Sequence, residues 1–177
     1  MAMATCPVVV STSFVDACLE QGKLVDTKDF LMKDKDGERR HRMTITKALK
    51  LAQKNQGQLL KGQTIYCTEH VKGDYATYKD IIEVNGGTCV LYKGRIALKP
   101  QTGEDEDMPD ADDDHVYLLS STEPVDVKLW PKFRAAASEV GRNARIAKTD
   151  WLLDLALAQQ LRWDRSYELH EDTPHEE

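Results

Sequence analysis

Apolar positions recur at spacings of three and four in five stretches of this 177-residue chain, and short β-branched runs lie between them. Val8-Val9-Val10 followed by Ser11-Thr12-Ser13 predicts a buried strand running into a helix N-cap. Phe14, Ala17, Cys18 and Gln21 trace one helical face, and Gly22 ends it where a left-handed residue is wanted. Leu24 and Phe30 follow in extended chain. Residues 33–43 are charged and carry no periodicity, which predicts a structureless stretch. From Thr44 the period returns, with Ile45, Ala48, Leu49 and Ala52 on one face and Gly57 at the end.

After the turn at Leu59-Leu60-Lys61-Gly62, residues 64–68 read as a strand. A helix carrying Tyr78, Ile81 and Ile82 closes on Asn85-Gly86-Gly87, and the strand 88–92 follows directly. Val116 to Leu119 is the next strand. A helix over about 132–140 is entered through Leu129-Trp130-Pro131, because proline is tolerated in a first turn. Arg145-Ile146-Ala147 is a short strand, and Thr149 is a candidate N-cap for a helix over 150–160 led by Trp151. Trp163 and Tyr167 close the unit. Helices alternating with short strands predict an α/β protein with a small parallel four-stranded sheet flanked by helices.

One unit occurs twice. An offset of 137 places Val9 on Ile146, Thr12 on Thr149, Phe14 on Trp151, Val15 on Leu152, Leu24 on Leu161 and Phe30 on Tyr167. The shared pattern is strand, Thr, aromatic-led helix, Leu, and an aromatic six residues later. Only thirteen residues precede Phe14, too few for a domain, so the chain is expected to be the later part of a longer protein.

Composition and charge narrow the classes. At 41% apolar and 31% charged, the chain has material for one core and is neither low-complexity nor disordered. No uninterrupted apolar run reaches membrane-spanning length, and the first residues lack a signal-peptide pattern, so no membrane association is expected. The net charge of −6 is local. Residues 104–114 hold eight acids and no base, and without them the chain stands at +2. A mobile acidic loop over 101–114 is expected. Residues 33–54 carry eight Lys/Arg against three acids. Cys6, Cys18, Cys67 and Cys89 have no metal-ligand spacing and read as reduced, buried thiols of a cytosolic or nuclear protein.

Together, Asn85-Gly86-Gly87 between the first helix and second strand, Thr149-Asp150-Trp151-Leu152-Leu153-Asp154 opening the last helix, Gly62, Trp163 and Tyr167 resemble a BRCT domain. The resemblance makes residues 59–169 a complete domain and residues 1–32 the closing strand and helix of a partial one. Between them lies a basic linker with a helix at 33–58, and a frayed tail follows at 170–177. The phrases 55–66 and 78–87 further resemble the C-terminal tandem BRCT pair of fungal genome-maintenance scaffolds of the regulator-of-Ty-transposition type, here N-terminally truncated.

The resemblance implies a non-enzymatic, nuclear protein-interaction module of the DNA-damage response, without cofactor or metal. Its partners would be phosphorylated nuclear proteins, a damage-phosphorylated histone tail among them. Phosphate needs a hydroxyl, a backbone N–H beside a glycine, and a lysine at a helix N-terminus. In the family these come from segments of the first domain that have no counterpart here, so no phosphate-binding residue is expected in this chain. In the second copy Thr68 is followed by Glu69, where an acid would repel phosphate, and Lys132 reads as solvated. The resemblance places a peptide-specificity rim at Gly73, Asp74, Tyr75, Thr149 and Leu153. Gly86, Gly87 and Trp151 are its structural signature.

Four other readings compete. Cys67 and His70 could form a nucleophile pair, but no third group in the sequence orients the histidine. The acids of 104–114 lack EF-hand spacing. A DNA-binding role for the basic linker 33–54 is the alternative function. It comes second, because Lys47, Lys50 and Lys54 simply lie opposite the apolar face of their helix. Finally, the incomplete first unit would leave Val8-Val9-Val10 and Phe14 facing outward as a docking surface.

Overall fold

The computed structural model describes residues 2–6, 8–96, 98, 115–171 and 173. The acidic run 104–114 and most of the tail lie outside the described residues. The elements run α1 (Ala2–Thr5), α2 (Ser13–Gln21), α3 (Lys35–Arg40), α4 (Ile45–Asn55), β1 (Thr64–Cys67), α5 (Tyr75–Val84) and β2 (Thr88–Leu91). They continue with β3 (His115–Leu119), α6 (Pro124–Val127), α7 (Trp130–Glu139), β4 (Asn143–Ala147) and α8 (Asp150–Ala158). Short 3-10 turns stand at Thr27–Phe30 and Arg165–Tyr167.

The four strands form one parallel sheet in the order β2-β1-β3-β4, as the alternation of helices and strands predicts. Successive strand residues point to opposite faces, and each face has its own core. Ile65, Cys67, Tyr117, Leu119 and Ala147 pack under α5 and α8 with Ile82, Trp151, Leu152 and Leu155. Tyr66, Val116, Leu118 and Ile146 pack under α7 with Trp130 and Phe133. Burial on both faces explains why β3 reads as an unbroken apolar run from Val116 to Leu119.

The Asn85-Gly86-Gly87 turn has a steric reason for both glycines. Gly86 has φ +82°, and a Cβ there would lie 2.8 Å from the Gly57 carbonyl oxygen. A Cβ on Gly87 would meet Ile82 Cγ2 at 2.9 Å and Leu60 Cβ at 3.0 Å. Gly86→Ala combines a left-handed backbone with a backbone clash, and should cost about 2 kcal/mol, read as a drop of several degrees in a thermal melt.

Four expectations need correction. Residues 8–10 form no buried strand: Val10 makes one antiparallel bridge to Leu31, and Val8 is 39% exposed. No strand among the described residues lies on their other side. Residues 35–40 form a helix despite their lack of periodicity. Asp34 caps it by accepting from Gly37 N–H at 2.9 Å, acids fill its first turn, and Arg39 and Arg40 its last. Phe30 ends a 3-10 turn rather than extended chain. Thr149 has helical backbone angles, and its side chain makes no capping bond, because the Lys148 carbonyl already accepts from Trp151 N–H.

The two copies of the repeated unit have the same backbone. The bridge Val10–Leu31 corresponds at the offset of 137 to Ala147–Glu168. The bonds Met32 N–H to Val9 O and Ser11 N–H to Phe30 O correspond to Leu169 N–H to Ile146 O and Lys148 N–H to Tyr167 O. Helices α2 and α8 have equal length, and their left-handed caps, Gly22 and Gln159, are equivalent positions.

Candidate functional site

The carboxyl ends of parallel strands expose backbone groups and the starts of the following segments, which is where α/β sheets place ligand crevices. Here the ends of β1, β3 and β4 meet in a polar cavity of about 470 Å³. His70 and Lys72 line it from the β1–α5 loop, Ser120 to Glu123 from the β3–α6 loop, and Lys148 to Asp150 from the start of α8.

Asp126, in the short helix α6, is 1% exposed and bonds to residues that line this cavity. Thr68, fully buried at the end of β1, donates its hydroxyl to Asp126 Oδ2 at 2.6 Å, and Ser121 donates to the same oxygen at 2.8 Å. His70 Nδ1 meets Asp126 Oδ1 at 3.2 Å. Trp130 Nε1 donates to Ser120 Oγ at 2.8 Å, tying α7 to the same loop. A buried carboxylate is tolerable only when its lone pairs are filled in this way. The Thr68 hydroxyl at the end of β1 is thus committed to an internal anion. Glu69 points elsewhere and pairs with Lys93 at 3.8 Å, and Lys132 is exposed.

Asp126 is therefore the group that orients His70, which the sequence left without a partner. It does not complete a nucleophile, since Cys67 Sγ lies 3.6 Å from Cys89 Sγ and is fully buried. The hydrogen bond to Cys89 and burial push the Cys67 thiol up, away from the reactive thiolate. Of the four thiols only Cys67 is buried; Cys18 and Cys89 are half-buried and Cys6 is exposed. Among the described residues no cluster of three or more His, Cys, Asp or Glu could hold a metal ion.

The rim residues are dispersed. Thr149 lines the cavity. Gly73 and Asp74 are exposed at the entrance to α5, where Asp74 accepts from Ala76 N–H at 3.2 Å. Tyr75 and Leu153 are half-buried and pack against the α5/α8 core. Trp151 is stacked on Tyr117, with ring centroids 4.6 Å apart, and donates to the Arg162 carbonyl.

The linker is docked on the complete domain. His41 Nδ1 meets Asp154 Oδ1 at 2.6 Å, and Arg162 donates to the carbonyls of His41 and Arg42 at 2.6 and 3.0 Å. Asn55 Nδ2 donates to the Gln159 carbonyl at 2.9 Å, fixing α4 against the end of α8. The Tyr167 hydroxyl donates to Asp154 Oδ2 at 2.6 Å. Burial first, then the Asp154 carboxylate, push this phenol up to about 12 from its ordinary value of 10.0. The folded state holds the proton more tightly, so the stabilisation is complete below pH 10 and is lost as pH rises towards 12. Tyr167→Phe should flatten that fall in melting temperature measured between those pH values.

No family model matches the chain. BRCT-containing protein 1 of Schizosaccharomyces pombe is 26% identical over 160 residues, covering 88% of this chain and 17% of that protein. The crystal structure of S. pombe Brc1 BRCT5-BRCT6 domains superposes with a TM-score of 0.68 at 24% identity, over 90% of this chain and 71% of that one. This is the BRCT fold. The chain is similar to the BRCT5-BRCT6 pair of that solved structure, and spans under a fifth of the length of the S. pombe relative. In this chain Gly86 and Gly87 serve the close turn before β2, and Trp151 stacks the last helix on the sheet through Tyr117.

Proposed function

We propose that this chain is a non-enzymatic protein-docking module of a nuclear genome-maintenance scaffold. Its complete BRCT domain does not itself read phosphate. The observation that carries this reading is the buried Asp126 carboxylate, which takes the Thr68 hydroxyl and fills the strand-end position with negative charge. A phosphate brought to that loop would face a like charge whose nearest partners, Thr68, Ser121 and His70, are already engaged. Phosphorylated nuclear proteins, a histone tail among them, are bound by the longer tandem pair. There Gly73, Asp74, Tyr75, Thr149 and Leu153 contribute to selecting residues beyond the phosphate. The linker's bonds to the complete domain support that role, since they fix the segment that joins the two units on one side.

The test is calorimetric titration of paired peptides, one with phosphoserine before an acidic-aromatic tail and one unphosphorylated, against this chain. Equal or absent binding of the two supports the reading. Micromolar binding that requires the phosphate contradicts it.

A further inference from the structure

Two thiols from separate strands meet on one face of the sheet. Strand β1 pairs in parallel with β2 so that Ile65 stands beside Cys89 and Cys67 beside Leu91. Alternation along the strands puts Cys67 and Cys89 on the same side, in the core under α5, with their sulfurs 3.6 Å apart. The two differ in access. Cys67 is 0% exposed. Cys89 is half-buried on β2, which stands at the edge of the described sheet.

Their surroundings give the two sulfurs opposite characters. Cys89 accepts hydrogen bonds from Cys67 and from the Tyr75 hydroxyl, and the Lys79 ammonium lies near. The Cys67 bond foremost, these hold the Cys89 thiol below its ordinary value, against burial and the Glu83 carboxylate. Lys79 divides its charge, since it also pairs with Glu83 at 3.7 Å. Burial first, then the bond to Cys89, push the Tyr75 phenol up to about 12, so Tyr75 remains a donor at neutral pH. A half-buried thiol with two donors and a cation beside it is placed to react, and a buried thiol in contact with it is placed to resolve the product. The sulfurs must close by about 1.5 Å to reach the disulfide length of about 2.0 Å. Strand β2 has four residues and no described strand on its outer side, so it is the strand with room to shift.

We propose that Cys89 and Cys67 are a hydroperoxide-sensitive thiol pair, in which Cys89 is oxidised first and Cys67 then closes a reversible disulfide between β1 and β2. The Cys89 thiolate attacks the outer peroxide oxygen, the O–O bond breaks, and the departing oxygen takes up a proton to leave as water or an alcohol. Cys89 has then given two electrons to the peroxide and is a sulfenic acid. That step removes the charge on Cys89 that held the Cys67 proton. Cys67 attacks the Cys89 sulfur, the S–S bond forms as the S–O bond breaks, and the hydroxyl leaves with the Cys67 proton as water. Exchange with a reducing thiol restores both groups. None of this depends on the reading of Asp126.

The probe is hydrogen peroxide, applied to a chain carrying Cys6→Ser and Cys18→Ser. The intact mass should fall by two hydrogens, both remaining thiols should become unreactive to maleimide together, and dithiothreitol should restore them. Near-ultraviolet dichroism from Trp151 and Trp130 checks that each variant is folded throughout. Cys89→Ser should slow the oxidation of Cys67 by about 10-fold or more, and Cys67→Ser should leave Cys89 as a sulfenic acid captured by dimedone. Tyr75→Phe, which leaves both thiols in place, should move the pH profile of Cys89 alkylation to higher pH. Oxidation of Cys67 at the same rate with and without Cys89 would overturn the proposal. So would disulfides formed only between chains, addition of oxygen without loss of the two hydrogens, or an alkylation profile that Tyr75→Phe leaves in place.

Discussion

Trp151→Ala should destabilise the chain by about 3–5 kcal/mol, with Tm falling by roughly 10 °C or more. The indole is 1% exposed, stacks on Tyr117, and meets Trp163 edge-on at a centroid distance of 5.6 Å. Arg145 lies over the Trp163 ring at 4.7 Å, so the cluster also holds a cation against its outer wall. Removing the indole opens a cavity between α8 and the sheet and leaves the Arg162 carbonyl without its donor. That carbonyl belongs to the residue that clamps the linker, so the loss should spread to residues 41–43. Phe14→Ala, at the equivalent position of the first copy, should cost about 1.5 kcal/mol or less, because its ring is half-exposed. Chemical denaturation of both variants checks the contrast. Equal losses would mean that the two environments are alike.

Asp126→Ala should be the second large loss, about 3 kcal/mol. It leaves the fully buried Thr68 hydroxyl only its long 3.4 Å bond to Ser120 Oγ and removes a partner from Ser121 and His70 together. Asp126→Asn keeps an acceptor for Thr68 and should cost less than half as much. The ordering Ala worse than Asn worse than wild type, read from urea unfolding, distinguishes a buried network from a surface carboxylate, for which all three would coincide.

The elements with a strong period were legible from the residues alone. Helix α8 follows from Trp151, Leu155 and Ala158, the parallel sheet from the alternation of short apolar runs with helices, and the duplication from six positions at one offset. The bridges and hydrogen bonds of the two copies then fell at that same offset. What escaped was set by tertiary contact. Helix α3 has no apolar face; its cap, its dipole-matched charges and the Arg162 clamp just beyond it hold it in place. Asp126 sits in Pro124-Val125-Asp126-Val127, where nothing local separates a buried carboxylate from a loop acid. The proline at the first helical position was the one available signal for α6. Val8-Val9-Val10 has strand composition, but composition does not supply the neighbouring strand that would bury it.

The most direct test of the Asp126 reading is amide chemical-shift mapping of the chain during titration with the phosphoserine peptide to millimolar concentration. Thr68, Ser121 and Thr149 report on the strand-end cavity. The account predicts that their resonances stay in place in the wild-type chain. Saturable shifts centred on Thr68 and Ser121, absent with the unphosphorylated peptide, would contradict it and make this domain a phosphate reader in its own right.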